Sequence, residues 1–244
     1  MLRIRDARTG ELADVLPSGR RQLRILVTAP GHLRAYLAAD LLRRTAERSG
    51  LLPEVSELVP AGAQATRLRA TCEALNIHPP VATLHAAEAS TATGMPPFDV
   101  AFGTGGGATG KDPSGARLWA RVGADDQPEA DLSVPPLAVR LSLLRRRYDE
   151  PLGDDWAPAS DVETLTRWRG LVAQWARSPS GAMSKPHADA ITAAFARDLD
   201  SPSALASLDA LAGDPAVMDG VKFETFAAAD RLFGLDLAAD IGKY

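Results

Sequence analysis

The sequence predicts an α/β chain: a parallel-sheet domain over residues 1–135, then an α-helical domain over residues 136–244. Three observations predict it. Leu23-Arg24-Ile25-Leu26-Val27-Thr28 is short, apolar and partly β-branched, the pattern of a buried strand. Ala29-Pro30-Gly31 breaks the run, and a helical pattern begins at once. From Pro136 onward apolar residues recur at three- and four-residue spacing without a further strand signal.

In order, the first strand feeds a helix from His32 to about Ser49, with Leu33, Tyr36, Leu37 and Leu41 on one face and Gly50 as its stop. A strand, a Gly/Pro turn and a helix open a doubly wound α/β domain, and the turn aims backbone N–H groups at one point where phosphate is favoured. Val55 to Leu58 is a second strand, and Ala65 to Leu75 a helix ending at Asn76-Ile77-His78-Pro79-Pro80. Phe98-Asp99-Val100-Ala101-Phe102 is a strand running into a glycine-rich loop from Gly103 to Gly110, and Leu118 to Val122 is another. Gly123 to Pro136 is acidic and proline-containing, hence loop. Helices are then expected from Pro136 to Tyr148, Asp161 to Ala176, Ala188 to Leu199, Pro202 to Leu211 and Lys222 to Leu232. In the second of these Val162, Leu165, Trp168, Leu171, Val172 and Trp175 make one apolar stripe, and the two tryptophans read as helix-packing core.

Composition excludes several classes. The 244 residues are 45% hydrophobic and 24% charged, those of a globular protein. No run of eighteen apolar residues occurs, so no membrane span is expected. Charges at Arg3, Arg5 and Asp6 stand where an export signal needs an apolar stretch, and the expected location is cytoplasmic. One cysteine, Cys72, allows neither an internal disulfide nor a thiolate zinc site. Residues 1–150 hold 19 Lys+Arg against 17 Asp+Glu, whereas residues 151–244 hold 8 against 14. A nucleic-acid grip needs a basic face, and the second half has no such surplus. Arg145-Arg146-Arg147 reads as a solvated helix end, and His78 and His85 as surface loop residues.

Several stretches, in order along the chain, resemble the cysteinyl-tRNA synthetases, of an arginine-rich, actinobacterial type. Leu2-Arg3-Ile4-Arg5-Asp6-Ala7-Arg8-Thr9-Gly10 is similar to the family's opening segment. Gly31-His32-Leu33-Arg34-Ala35-Tyr36 and Asp40-Leu41-Leu42-Arg43-Arg44 resemble its "GHARTY…DVLRR" helix. Cys72 to Pro80 resembles "ALNI-x-P", Leu137 to Leu141 "DPLALRL", and Phe195 to Leu205 "F-x-x-x-x-DDLDTPAAL". The resemblance implies a Rossmann-like (HUP-type) catalytic domain, here eroded, and a helical stem and anticodon-side bundle.

The departures shape the expected function. Thr28-Ala29-Pro30 stands where the family has Cys-Gly-Pro, whose cysteine binds the zinc that recognises the substrate thiol. The chain then passes directly to Gly31-His32, the second half of the HIGH motif, whose histidines stabilise charge on the transferring phosphate. No zinc is expected. Ala182-Met183-Ser184-Lys185-Pro186 is similar to the KMSKS loop but lies too far along the chain; the family's position falls near Gly123 to Asp131, which has no lysine. Gly105-Gly106-Gly107-Ala108-Thr109-Gly110-Lys111-Asp112 fits the spacing of a phosphate-cradling loop, yet Asp112 stands where Ser or Thr would hold magnesium. The alternative is descent from the family's "FD-x-H-x-GG" strand and loop.

No catalytic or metal-ligating residue is therefore expected. The expected nucleotide-binding residues are Thr28, Pro30, Gly31, His32, Gly103, Gly105 and Gly106, with ATP or AMP as ligand. Three functions compete: a synthetase-like protein that has lost cysteine activation and tRNA charging but binds an adenine nucleotide or a protein partner; a ligase that still forms an aminoacyl-adenylate for a small acceptor; and a non-catalytic interaction module. Neither tRNA nor a membrane is an expected partner.

Overall fold

A computed structural model describes residues 1–29, 32–59, 64–85, 98–105, 115–123, 134–153 and 156–243. Two compact units divide the chain. The first comprises Met1–Gln127, Tyr148–Leu152 and Ala196–Leu199; the second takes the remainder.

In the first unit the described strands form two sheets. Arg3–Arg5 (β1) and Leu12–Asp14 (β2) make an antiparallel hairpin. Gln22–Val27 (β3), Leu52–Val59 (β4), Ala82–His85 (β5), Val100–Gly103 (β6) and Leu118–Arg121 (β7) make a parallel sheet in the order β5-β4-β3-β6-β7. Its centre is apolar because Leu23, Ile25, Val27, Val100 and Phe102 come from strands flanked on both sides. Leu33–Arg48 (α1) joins β3 to β4, and Gln64–Ala74 (α2) joins β4 to β5. The α1 stripe of Ala35, Tyr36, Leu37, Ala38, Leu41 and Leu42 is buried, and Gly50, at φ +74°, takes the left-handed position past its end.

The first unit is not continuous in sequence. Asp198, 2% exposed, lies beside β1: its carboxylate accepts the Arg5 N–H at 2.8 Å and the Tyr148 hydroxyl at 2.8 Å, with the Arg5 Nε at 3.4 Å. Its own N–H donates to the Arg3 carbonyl. The Tyr148 ring meets Phe102 edge-on, centroids 5.7 Å apart. The sequence places Tyr148 on a helical stripe, but the helix ends at Leu144; contacts with Phe102 and Asp198 outweigh the i+4 spacing. Helix propensity amounts to tenths of a kcal/mol per residue, less than an aromatic contact and a charged hydrogen bond together.

The second unit holds Pro136–Leu144 (α3), Asp161–Trp175 (α4), Lys185–Ala196 (α5), Ser201–Gly213 (α6) and Asp219–Phe233 (α7). Trp168 and Trp175 both stand edge-on to Phe226, at 6.3 and 5.1 Å, which makes them the core that the stripe predicts. The Trp168 indole N–H is satisfied by Asp209 at 3.1 Å. Asp200 caps α6 through the Ser203 N–H, and Gly234, at φ +66°, closes α7. Among the described residues no helix is long and apolar enough to cross a membrane.

Replacing the fully buried Trp168 by Ala should destabilise by about 3–5 kcal/mol in urea unfolding. Tyr148→Phe, which removes one donor from a buried carboxylate, should cost about 1–3 kcal/mol by the same measurement.

Candidate functional site at the carboxyl edge of the sheet

In an open parallel sheet ligands bind outside the carboxyl ends of the strands, where the strand order reverses. Here the reversal falls between β3 and β6. Thr28, one residue past β3, holds that junction: its N–H donates to the Phe102 carbonyl at 2.9 Å, and its hydroxyl donates to the same oxygen at 3.1 Å. Gly103, which ends β6, is buried beside it; a Cβ there would collide with the Thr28 hydroxyl and with the indole of Trp119 from β7. Three neighbouring strands therefore interlock around a missing side chain.

Thr28 and Gly103 are thus brought together as expected residues of one edge. Gly105 is exposed, with open space around the position of a Cβ, so room over this loop lies at Gly105 rather than at Gly103. Pro30, Gly31 and Gly106, and the stretch from Gly106 to Ser114 that holds most of the phosphate-loop pattern, lie outside the described residues. His32 occupies the cap position of α1 in extended backbone, φ −92° and ψ 99°. Its N–H donates to the Ala29 carbonyl at 3.1 Å, so any anion at this turn must take N–H groups from the first turn of the helix instead.

Sequence reading passed over Arg34. It is charged, 2% exposed and set in the first turn of α1, where it donates to the carbonyl of Glu150. The signal is a cation interrupting the apolar run Leu33, Tyr36, Leu37. Glu57 on β4 was passed over too: it is buried and accepts the Tyr36 hydroxyl at 2.7 Å, Thr83 at 2.9 Å and Arg69 at 3.0 Å. Burial first, then the hydrogen bond and charge of Glu57, push the Tyr36 phenol far above its ordinary range.

The segments similar to synthetase motifs hold the fold together. Asp40 on α1 accepts Arg44 at 2.7 Å and ring Nδ1 of His78 at 2.9 Å, and Arg44 donates to the Asn76 carbonyl at 2.8 Å. The helix thereby clamps the turn that Asn76 makes at φ +54°. His78 is a loop residue but an anchored one. Ser184 accounts for the KMSKS-like stretch: its N–H donates to Thr225 at 2.9 Å, its hydroxyl lies 2.8 Å from His187, and Lys185 pairs in solvent with Asp189. That segment starts α5 and docks on α7. Arg145, at the end of α3, pairs with Asp161 at 2.6 Å.

The residues present do not fit a thiolate zinc centre. The Thr28 hydroxyl is spent on a carbonyl, and among the described residues no three His, Cys, Asp or Glu side chains gather at ligand distance. Cys72 is buried on α2, and burial, then the charges of Glu57 and Asp40, push its thiol up to about 12, so it stays protonated.

Strand order and the β3/β6 edge define the class: a Rossmann-like doubly wound α/β fold, with a helical unit after it. No family model matches the chain. A 110-residue stretch, 42% of the chain, is 37% identical to an L-cysteine:1D-myo-inositol 2-amino-2-deoxy-alpha-D-glucopyranoside ligase of Cellulomonas flavigena, covering 25% of that protein. The same-named ligase of Streptomyces griseus is 40% identical over 81 residues, 31% of this chain and 18% of its own. A cysteine--tRNA ligase of Paracoccus denitrificans is 35% identical over 117 residues, 47% of this chain and 22% of its own. Over about two fifths of its length the chain is related to the cysteinyl-tRNA synthetase family. The matches span about a fifth to a quarter of those relatives.

Gly103→Ala should cost about 1–3 kcal/mol, as overpacking does, and Thr28→Ala in the same chain should recover part of it, read by urea unfolding. Folding raises the Cys72 pKa, so the linked stability is whole below its ordinary value of 9.0 and is lost as pH climbs toward about 12. Cys72→Ala should flatten the alkaline slope of unfolding free energy between about pH 8 and about pH 11.

Proposed function

We propose that this chain is a cysteinyl-ligase relative that no longer activates cysteine and that keeps a weak adenine-nucleotide position at the β3/β6 edge. One observation carries the reading: at the carboxyl end of the central strand stands Thr28, with N–H and hydroxyl both committed to Phe102. Thr28 offers no thiolate for a metal, and its hydroxyl is already committed. The chemistry left at that edge is that of a helix N-terminus: N–H groups of the first turn of α1, its dipole, and His32 half-buried beside them. These recognise a phosphate. The exposed Gly105 leaves room for a ribose or base without a side-chain clash. Zinc has no part in this reading, and neither does tRNA, since residues 151–244 carry 8 basic against 14 acidic side chains.

A second reading has an observation of its own. The Cellulomonas and Streptomyces relatives are ligases that join L-cysteine to a small amino sugar, which favours an adenylate-forming enzyme with a small acceptor. Adenylate formation needs stabilisation of the transferring phosphate, and removing one such donor typically costs about a hundredfold or more in rate.

Pyrophosphate exchange with ATP and a panel of amino acids separates the two readings. We expect no amino-acid-dependent exchange; exchange driven by cysteine would establish the ligase. Calorimetric titration with AMP and ATP should show weak binding that His32→Ala lowers by about 1–3 kcal/mol, the worth of a charge-assisted hydrogen bond. Absence of binding at millimolar nucleotide would leave an interaction module.

A further inference from the structure

The segment Ala196–Leu199 belongs to the first unit and lies alongside β1. It pairs there in parallel, Arg3 with Arg197, and the Asp198 N–H donates to the Arg3 carbonyl at 2.9 Å. Residues in register on neighbouring strands project to the same face. Ile4, the next residue along β1, is buried, so Arg3 and Arg197 share the solvent face, and both are exposed. Like charges set side by side repel. Among the described residues no carboxylate stands at ion-pair distance from either guanidinium. The acidic groups near them are otherwise placed. Asp198 turns inward and is held by the Arg5 N–H and the Tyr148 hydroxyl. Asp14 stands opposite Arg3 on β2 without an ion pair to it, and Glu11 precedes β2. Arg5, on the same face as Arg3, is engaged with the Gly10 carbonyl at 2.6 Å and with Asp198 at 3.4 Å. The backbone after Arg197 is strained: Asp198 and Leu199 take φ +64° and +50°, where a residue such as leucine is seldom found. Two unneutralised cations are thus held together by backbone pairing, against both their own repulsion and local strain.

We propose that Arg3 and Arg197 together bind one phosphate monoester. This does not rest on the nucleotide reading above. A phosphate monoester loses its second proton near a pKa of about 6 and then offers three oxygens and close to two negative charges. Two guanidiniums match that charge, and each presents a planar fork that meets two oxygens at once. A phosphodiester carries a single negative charge and leaves the pair half compensated. A nucleic-acid strand, with a phosphate at every nucleotide, also meets Asp14 and Glu11 on the β2 side, which repel it. The chemistry that fits is therefore a small molecule with a terminal phosphate.

Phenyl phosphate, which has neither sugar nor nucleobase, is the probe, followed by two-dimensional NMR of the intact chain at neutral pH. Millimolar probe should shift the amides of Arg3, Arg197 and Asp198. Arg3→Gln and Arg197→Gln should each weaken binding about tenfold or more, the worth of one charge-assisted hydrogen bond. His32→Ala should leave it unchanged. Lowering the pH to about 5 should weaken the wild type several-fold, because the probe then carries one charge while both arginines keep theirs. Absence of shifts at Arg3 and Arg197, or binding that both substitutions leave intact, overturns the site. Equal affinity for dimethyl phosphate, or tighter binding of an oligoribonucleotide without a terminal phosphate, overturns the monoester assignment. Loss of probe binding in His32→Ala alone moves the phosphate to the β3/β6 edge, which overturns this site and supports the nucleotide reading.

Discussion

Everything at the candidate site follows from one topological constraint: β3 has β4 on one side and β6 on the other. Chain leaving β3 turns into α1 and travels toward β4, whereas chain leaving β6 travels the other way, toward β7. The two departures open an edge at the junction of β3 and β6. The Thr28 N–H and hydroxyl close the inner part of that edge onto Phe102, and Trp119 fills the notch over Gly103. What remains lies further out, at the first turn of α1 and at the exposed Gly105. The same geometry fixes why a hydroxyl works at position 28. It reaches a carbonyl within its own sheet and needs no metal to satisfy it.

The polar residues that most resemble synthetase motifs are spent on architecture. Asp40 and Arg44 grip the turn at Asn76 and His78, and Asp198 grips β1 while Asp200 caps α6. Asp40, Asp198 and Asp200 are carboxylates that satisfy guanidinium or backbone donors, and at the buried ones an unmet donor would cost about 1–3 kcal/mol. These groups answer to folding. Glu57 belongs with them: three donors from α1, α2 and β5 converge on it and tie the helices to the sheet.

The central strand and its helix were legible because both signals were local: a continuous apolar run, a Gly/Pro break and a stripe at helical spacing. The tryptophan core was legible for the same reason. Other elements were hidden because their cause lies far away in the chain. β1 has a single apolar residue, Ile4, between two arginines, and owes its place to Asp198. β5 is an edge strand with Ala82 and Thr83 exposed, so it lacks the apolar run of a central strand. Of the expected site, Thr28, His32, Gly103 and Gly105 stand on described backbone at the expected edge. Arg34 and the Tyr148–Leu152 segment were not readable, because a carbonyl acceptor 116 residues away leaves no trace in a local pattern.

The bond between the Arg5 amide and Asp198 spans 193 residues. During synthesis at about 5–20 residues per second, Arg5 is made about 10–40 s before its partner. Over that interval β1 lacks its partner Asp198, and Phe102 lacks the ring that covers it until Tyr148 has been made. An unpaired edge and a bare phenylalanine are what chaperones and neighbouring nascent chains grasp. Translation speed across residues 128–195 thus becomes a determinant of how much of this protein reaches its folded state.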